Sequence, residues 1–339
     1  MKLNYYPYTI RLKDQFAIAS GSRVTTPAVM VEIKFEGITG YGEASLPPYL
    51  SENQSSVFDF LNKINLESYN DISDINNILN YVESVENGNN AAKASVDIAL
   101  HDIWAKINNL PLHKLLGIEH KENLFTSFTI GISEPEELER KILAASEYKF
   151  LKIKLGSDND YETITLIRRY TDKPLYVDVN QGWTDKFFAL DMINWLSEQN
   201  VILIEQPLPK DNFDDAKWLL ERSSLPIIAD EAVQVLSDLK KIKDNYSGVN
   251  IKLMKAGGLR NALQMIKLAR QLNLKIMLGC MTETSCAITA ASHLAPLADW
   301  IDLDGAKLIS NDLFDGMQIK NGEIDIPADS GLGINKKLT

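Results

Sequence analysis

Leu151-Lys152-Ile153-Lys154-Leu155-Gly156 is an apolar run that carries two lysines two residues apart. Side chains on a strand alternate between faces, so as a strand this run puts Lys152 and Lys154 on the same side. Comparable short runs follow, ending at Asp178, Glu205, Asp230 and Lys252, at successive steps of 24, 27, 25 and 22 residues from Lys154. A strand, a helix and two short loops fill such a step. The spacing therefore predicts a βα repeat that delivers one ionisable side chain at each strand end. Working outward, strands are expected near 124–131, 149–155, 174–180, 201–205, 226–230, 248–253, 274–279 and 299–304, with helical patterns between them such as Thr184 to Gln199 and Leu259 to Asn273. Eight such strands make a parallel (β/α) barrel, whose chemistry sits at the C-terminal mouth.

The N-terminal part has another rhythm. Strand-like runs at 2–12, 27–35 and 38–44 precede helical patterns near 55–64, 72–86 and 90–107, an α+β arrangement. Two polar stretches, Ala17 to Thr26 and Ser45 to Asn53, read as loops long enough to reach over a neighbour. The expected division is 1–118 for this domain, 119–310 for the barrel, and 311–339 for a C-terminal segment that returns to the first domain.

Composition narrows the function classes. The 339 residues are 45% hydrophobic and 24% charged, ample for a large core. A net charge of -11 with no basic run to offset it argues against nucleic acid or an anionic membrane surface as partner. No signal peptide or membrane span is read. The two cysteines, Cys280 and Cys286, suit neither a zinc site nor a disulfide framework, so a reduced cytoplasmic protein is expected. None of the four histidines (His101, His113, His120 and His293) closes a strand, which disfavours a histidine base.

Asp178, Glu205 and Asp230 end adjacent strands, so three carboxylates converge on one side of the mouth. Acidic residues also cap the helices that follow strands. Three in succession, with no histidine or cysteine among them, instead suit a hard, oxygen-seeking cation, Mg²⁺ before Ca²⁺ or Mn²⁺. The second and sixth strands stand four apart in a ring of eight, which sets Lys154 and Lys252 across the mouth from each other. Two bases facing each other across a carbon are what inversion of a stereocentre needs. Each must be partly neutral to act, and Lys152 beside Lys154, together with a dication, supplies repulsion of the required sign. On the eighth strand Asp302-Leu303-Asp304 puts two aspartates on one face, where they can hold a second cation such as a substrate ammonium group.

These residues resemble the enolase superfamily, and within it the muconate lactonizing enzyme subgroup. The likeness rests on Tyr41-Gly42-Glu43-Ala44, Lys152-x-Lys154, Asp178-Val179-Asn180, Ile204-Glu205-Gln206-Pro207, Ala229-Asp230-Glu231, and Lys252 five residues before Gly257-Gly258. It implies a modified TIM barrel, (β/α)7β, with an α+β N-terminal capping domain. It also implies Asp178, Glu205 and Asp230 as ligands of one Mg²⁺ per subunit, and Lys154 and Lys252 as the acid/base pair. Lys152 is expected to tune its neighbour and touch the substrate carboxylate, and Asn180 and Glu231 to hold ligands or lysines in place. Lys255 is expected to be a solvated loop residue.

Asp302 and Asp304 resemble the element with which dipeptide epimerases of this subgroup hold the substrate's α-ammonium, and Met281-Thr282-Glu283-Thr284 has a counterpart there, giving Glu283 a substrate-binding role. The implied reaction is epimerisation at the C-terminal residue of a dipeptide, with Arg23 pairing an acidic second side chain and Ala-Glu as the favoured substrate. Hydrophobic or cationic dipeptides stay open. So do o-succinylbenzoate synthase, N-succinylamino acid racemase and muconate cycloisomerase activities, whose substrates carry no free ammonium, and, from another class, a catalytically silent binding barrel. The sequence leaves a homo-oligomer open.

Overall fold

The computed structural model describes residues 1–338. Its first 45 residues form a three-stranded antiparallel sheet of β1 (Lys2–Ile18), β2 (Gly21–Phe35) and β3 (Ile38–Ser45). The stretch from Ala17 to Thr26 is not a loop. Phe16 pairs with Arg23 and Ile18 with Gly21, so the ladder resumes after a register shift beyond Arg11 and ends in a two-residue turn. Phe16 and Ile18 supply the branched and aromatic character of the resumed ladder. The second stretch, from Ser45, has no helix or strand before α1 (Gln54–Leu61).

Two more helices complete this domain, α2 (Ile75–Ser84) and α3 (Asn90–Ile107), with the one-turn α4 (Leu112–Leu115) leading out. α3 is buried on nearly every side and lies directly on β3. A Cβ at Gly42 would stand 1.8 Å from the carbonyl oxygen of Ser95, so this close crossing requires glycine at that position.

The repeat follows in the expected places: β4 (Ser127–Ile130), α5 (Pro135–Ala144), β5 (Phe150–Lys154), α6 (Asp160–Arg168), β6 (Leu175–Asp178), α7 (Lys186–Glu198), β7 (Val201–Glu205), α8 (Phe213–Leu220), β8 (Ile227–Ala229), α9 (Leu239–Ile242), β9 (Gly248–Ile251), the one-turn α10 (Leu253–Ala256), α11 (Leu259–Gln271), β10 (Lys275–Gly279), α12 (Ser285–Ser292) and β11 (Trp300–Asp302). Each barrel strand pairs in parallel with the next, and a bridge between Thr126 and Ile301 nearly closes the ring. With α10 counted into its loop, seven helices separate eight strands, the (β/α)7β form. Local chemistry sets the helix starts: Asp185 accepts from the N–H groups of Phe187 and Phe188 to cap α7, and Asn212 accepts from Asp215 to cap α8.

The C-terminal segment adds β12 (Phe314–Asp315), β13 (Gln318–Lys320), β14 (Glu323–Asp325) and β15 (Asn335–Lys336) as two small ribbons. Phe314 packs edge-on to Tyr41, and Lys336 lies 2.6 Å from Glu32.

Inside the barrel the period-two rule builds layers. Phe150, Tyr176, Leu203, Ile228 and Trp300 each stand two residues before Lys152, Asp178, Glu205, Asp230 and Asp302, and they cluster as an apolar floor. The charged layer therefore sits about 7 Å higher, at the C-terminal mouth.

Candidate active site

Register sets the levels of the site. Across adjacent strands Lys154 faces Asp178 and Asp178 faces Glu205, while Asp230 and Lys252 follow the last residues of β8 and β9. Asp178, Glu205 and Asp230 are buried, and each offers a carboxylate oxygen within 4.8 Å of the others. The backbone at Asn180 (φ 46°) and Gln206 (φ 39°) is left-handed without glycine, strain of the kind that gathers at functional sites.

Three buried carboxylates this close must be compensated. Burial alone raises Asp178, but the ammonium groups of Lys152 and Lys154 outweigh it and bring its carboxyl down to about 2. Asp230 is likewise driven down against burial, by Lys252 and Lys255. Glu205 goes the other way, pushed up to about 7 by burial and by Asp178. Its Oε2 has no hydrogen-bond partner, although Lys152 Nζ lies 2.6 Å away, out of line for donation. An orphaned carboxylate oxygen among three oxygen-only donors fits a magnesium ion.

Lys152 is embedded deeper than its neighbour. Its Nζ lies 3.0 Å from Asp178, 2.6 Å from Glu205 and 2.8 Å from Asp302, so one ammonium bridges the triad and the last strand. Lys154 Nζ donates to Asp178 (2.6 Å) and to Asn180 Oδ1 (3.0 Å), and Lys252 Nζ donates to Asp230 (2.8 Å). Without a metal, Lys152 and Lys252 are buried against carboxylates. Burial opposes their charge, but the surrounding carboxylates outweigh it and hold both well above the ordinary lysine value.

Asp302 and Asp304 stand side by side but differ. Asp302 is matched by Lys152 and by Ser127 Oγ (2.7 Å). Asp304 receives only neutral donors, the N–H and hydroxyl of Thr129. Burial and the neighbouring Asp302 raise its carboxyl to about 7. Asn180 Nδ2 donates to Glu231 Oε1 (3.1 Å), and burial together with Asp230 raises Glu231 to about 7.

A cleft opens over these groups, walled by Lys152, Lys154, Lys252, Asp302 and Asp304, with Arg23 and Tyr49 also lining it. The hairpin tip reaches the rim, where Ile132 N–H donates to Ala17 O (3.0 Å). Arg23 stacks over Phe16 and donates Nε to Thr26 Oγ1 (3.1 Å); among the described residues no carboxylate pairs with its guanidinium. Glu283 does not line the cleft. It is buried behind the wall, accepts from Met281 N–H (3.1 Å), and is raised to about 8 by burial and by Glu43.

Lys255 corrects the expectation of a solvated loop residue. It is buried in α10 and donates to Asp230 Oδ1 (2.6 Å), Asp230 O (2.7 Å) and Asn250 O (3.1 Å), because the helical turn after Lys252 carries it behind the triad. Sequence reasoning also passed over Asn250, whose Nδ2 donates to Glu205 Oε1 (2.7 Å). Its place two residues before Lys252 on one strand face was the available signal. Gln206 Oε1 accepts from the N–H groups of Asp230 and Ala232, fixing the loop that carries Asp230. Nothing local in the sequence marks that role.

Residues 6–117 match the mandelate racemase/muconate lactonizing enzyme N-terminal domain, and residues 135–337 the enolase C-terminal domain-like family. The chain is 49% identical over 337 residues, 99% of its length and 88% of the other, to an L-Ala-D/L-Glu epimerase of Bacteroides thetaiotaomicron. It superposes with a TM-score of 0.93 and 29% identity on a substrate-liganded L-Ala-D/L-Glu epimerase of Bacillus subtilis, covering 100% and 99% of the two chains. The TM-score is 0.89, with 27% identity and coverage of 99% and 95%, to a dipeptide epimerase of Cytophaga hutchinsonii complexed with Mg and D-Ala-L-Val.

Proposed function

The chain belongs to the mandelate racemase/muconate lactonizing enzyme family of the enolase superfamily, and from that premise we propose that it is a magnesium-dependent dipeptide epimerase that inverts the C-terminal residue of Ala-Glu. The observation that carries this reading is Asp304. It is a buried carboxylate at the cleft with no cationic partner, beside an Asp302 already matched by Lys152. An N-terminal ammonium group completes that pair, whereas an N-succinyl group brings a second negative charge to it.

In this reading Asp178, Glu205 and Asp230 hold the metal. A magnesium ion there supplies positive charge that offsets the carboxylates keeping Lys252 protonated and that favours negative charge building up on a nearby substrate carboxylate. Lys154 and Lys252 do the proton transfer. One takes the α-proton, the electrons of the broken C–H bond spread into the carboxylate, and the other lysine returns a proton to the opposite face. Lys152, held between Asp178, Glu205 and Asp302, keeps a fixed positive charge beside the reacting carboxylate. Arg23, without an acidic partner of its own, pairs the glutamate side chain. Both cysteines are free, which fits the cytoplasmic location that forms part of this proposal.

Proton NMR of the protein with Mg²⁺ and L-Ala-L-Glu in deuterated water tests it. The α-proton signal of the second residue is expected to disappear as the diastereomer grows in. Exchange of other dipeptides but not Ala-Glu removes Arg23 from its role and leaves the reaction class. Exchange of N-succinylamino acids and of no dipeptide overturns the reading of Asp302 and Asp304.

A further inference from the structure

Lys252 opens a turn that the barrel alone does not hold. Its carbonyl accepts from Lys255 and Ala256, α10 makes a single turn, and Gly257 and Gly258 both close onto Leu253 O at 3.0 Å with φ of +88° and +115°. α11 starts at once, and Gly258 has no side chain with which to cap it. The cap comes from the other domain. Asp97 of α3 accepts from Leu259 N–H (2.6 Å) and Arg260 N–H (3.4 Å), and its carboxylate fills the space where a Cβ on Gly258 would stand, 2.6 Å from Oδ1. Asp97 is itself held by His101, whose Nδ1 lies 3.2 Å from Oδ1, and both side chains are buried. Neither residue lines the cleft.

We propose that Asp97, steadied by His101, is a positioning residue for Lys252, through the turn Lys252–Gly258. The inference rests on the two-lysine reading above. α10 is pinned at its start by Lys255 on Asp230 and Asn250, and at its end by Asp97 on the first N–H groups of α11. With both ends fixed, Lys252 Nζ meets Asp230 at 2.8 Å. Two N–H groups at a helix start, which α11 cannot satisfy internally, draw a carboxylate strongly, and that draw is what carries capping-domain order into the barrel mouth. The glycine pair after Lys252 gains a physical reason: Gly258 leaves room for a carboxylate from another domain.

The test separates positioning from general stability. A two-base enzyme that loses one base still exchanges the α-proton of the isomer served by the other. Lys252→Met and Lys154→Met therefore define which isomer, L-Ala-L-Glu or L-Ala-D-Glu, depends on which lysine for exchange with deuterated water. Asp97→Ala is expected to follow the Lys252→Met pattern, with exchange of that isomer reduced at least tenfold relative to the other. Asp97→Asn, which keeps an acceptor for Leu259 N–H, is expected to fall between Asp97→Ala and wild type and covers the case where alanine does not fold. Equal loss for both isomers in the folded variant overturns the proposal. Amine labelling followed by mass spectrometry gives a readout that needs no substrate. The labelling rate of Lys252 is expected to rise in the variants while that of Lys154 holds, and unchanged labelling of Lys252 also overturns it. If wild type exchanges neither isomer, the dipeptide reading fails and the labelling ratio alone decides the role of Asp97.

Discussion

Glu205 makes magnesium binding depend on pH in a calculable way. Burial and Asp178 raise its carboxyl from 4.5 to about 7, so in the metal-free protein it carries a proton over much of the acidic range. A raised carboxylate contributes stability that is fully present below its unfolded value and is lost as pH rises through the folded value. The metal-free protein should therefore weaken between pH 4.5 and 7. Asp178, brought down to about 2, acts with the opposite sign but only between about pH 4 and 2, outside the range to be scanned. A cation competes with the Glu205 proton, so below pH 7 the apparent magnesium affinity falls about tenfold per pH unit, or about 30-fold between pH 8 and 5.5. That is about 2 kcal/mol of metal-linked stability at fixed magnesium. An unfolding entropy of about 2 cal/mol/K per residue over this chain converts it to ~3 °C. Thermal denaturation followed by circular dichroism at pH 5.5 and 8, with and without one millimolar-range magnesium concentration, measures it. The magnesium-induced rise in Tm should be larger at pH 8 by about that amount, and Glu205→Gln should remove the difference. A rise of equal size at both pH values, or a larger one at pH 5.5, refutes the assignment of the proton to Glu205.

Two substitutions probe the rest of the site. Lys255→Met leaves Asp230 Oδ1 and the Asn250 carbonyl without their buried donor while Lys252 still meets the other Asp230 oxygen, and should cost about 1–3 kcal/mol, a Tm loss of ~1–4 °C in the same melting assay, together with weaker magnesium binding by calorimetry. On the proposed reading Arg23→Gln removes one charge-assisted contact to the substrate worth about 1.5–3 kcal/mol, so KM for Ala-Glu should rise by roughly 10- to 150-fold while steady-state values for Ala-Leu stay near wild type.

Much of the fold was open to the sequence because a parallel barrel buries both faces of its strands. Short apolar runs at regular steps then have few other homes, and each run's ionisable terminus marks the mouth. The hairpin tip was harder. Ala17 to Thr26 is polar and small, as loops are, and its pairing depends on cross-strand partners such as Phe16 with Arg23 that no local pattern reveals. Lys255 failed for a related reason. A lysine in a short turn is usually solvated, and the Asp230 carboxylate 2.6 Å away, with the carbonyls of Asp230 and Asn250, is what makes its burial tolerable. What the sequence displayed was which groups end strands; what it hid was contact between groups on different strands and between domains, as at Asp97 and Gly258.

The charges of the buried layer say why so many of them lie together. Asp178, Glu205, Asp230, Glu231, Asp302 and Asp304 face Lys152, Lys154, Lys252 and Lys255, which leaves two negative charges in a largely buried layer beneath the cleft. The protein alone settles that excess with two protons shared among Glu205, Glu231 and Asp304, each raised to about 7. A single dication settles it without them. In the proposed reading an Ala-Glu substrate would then add one ammonium group and two carboxylates, the ammonium meeting Asp304, one carboxylate lying beside Lys152 and the second pairing with Arg23. The layer is neutral with the metal alone, but on the proposed reading Arg23 above it is matched only by an acidic dipeptide, so a neutral second residue, which leaves the half-buried Arg23 without a counter-charge, should bind less well than glutamate.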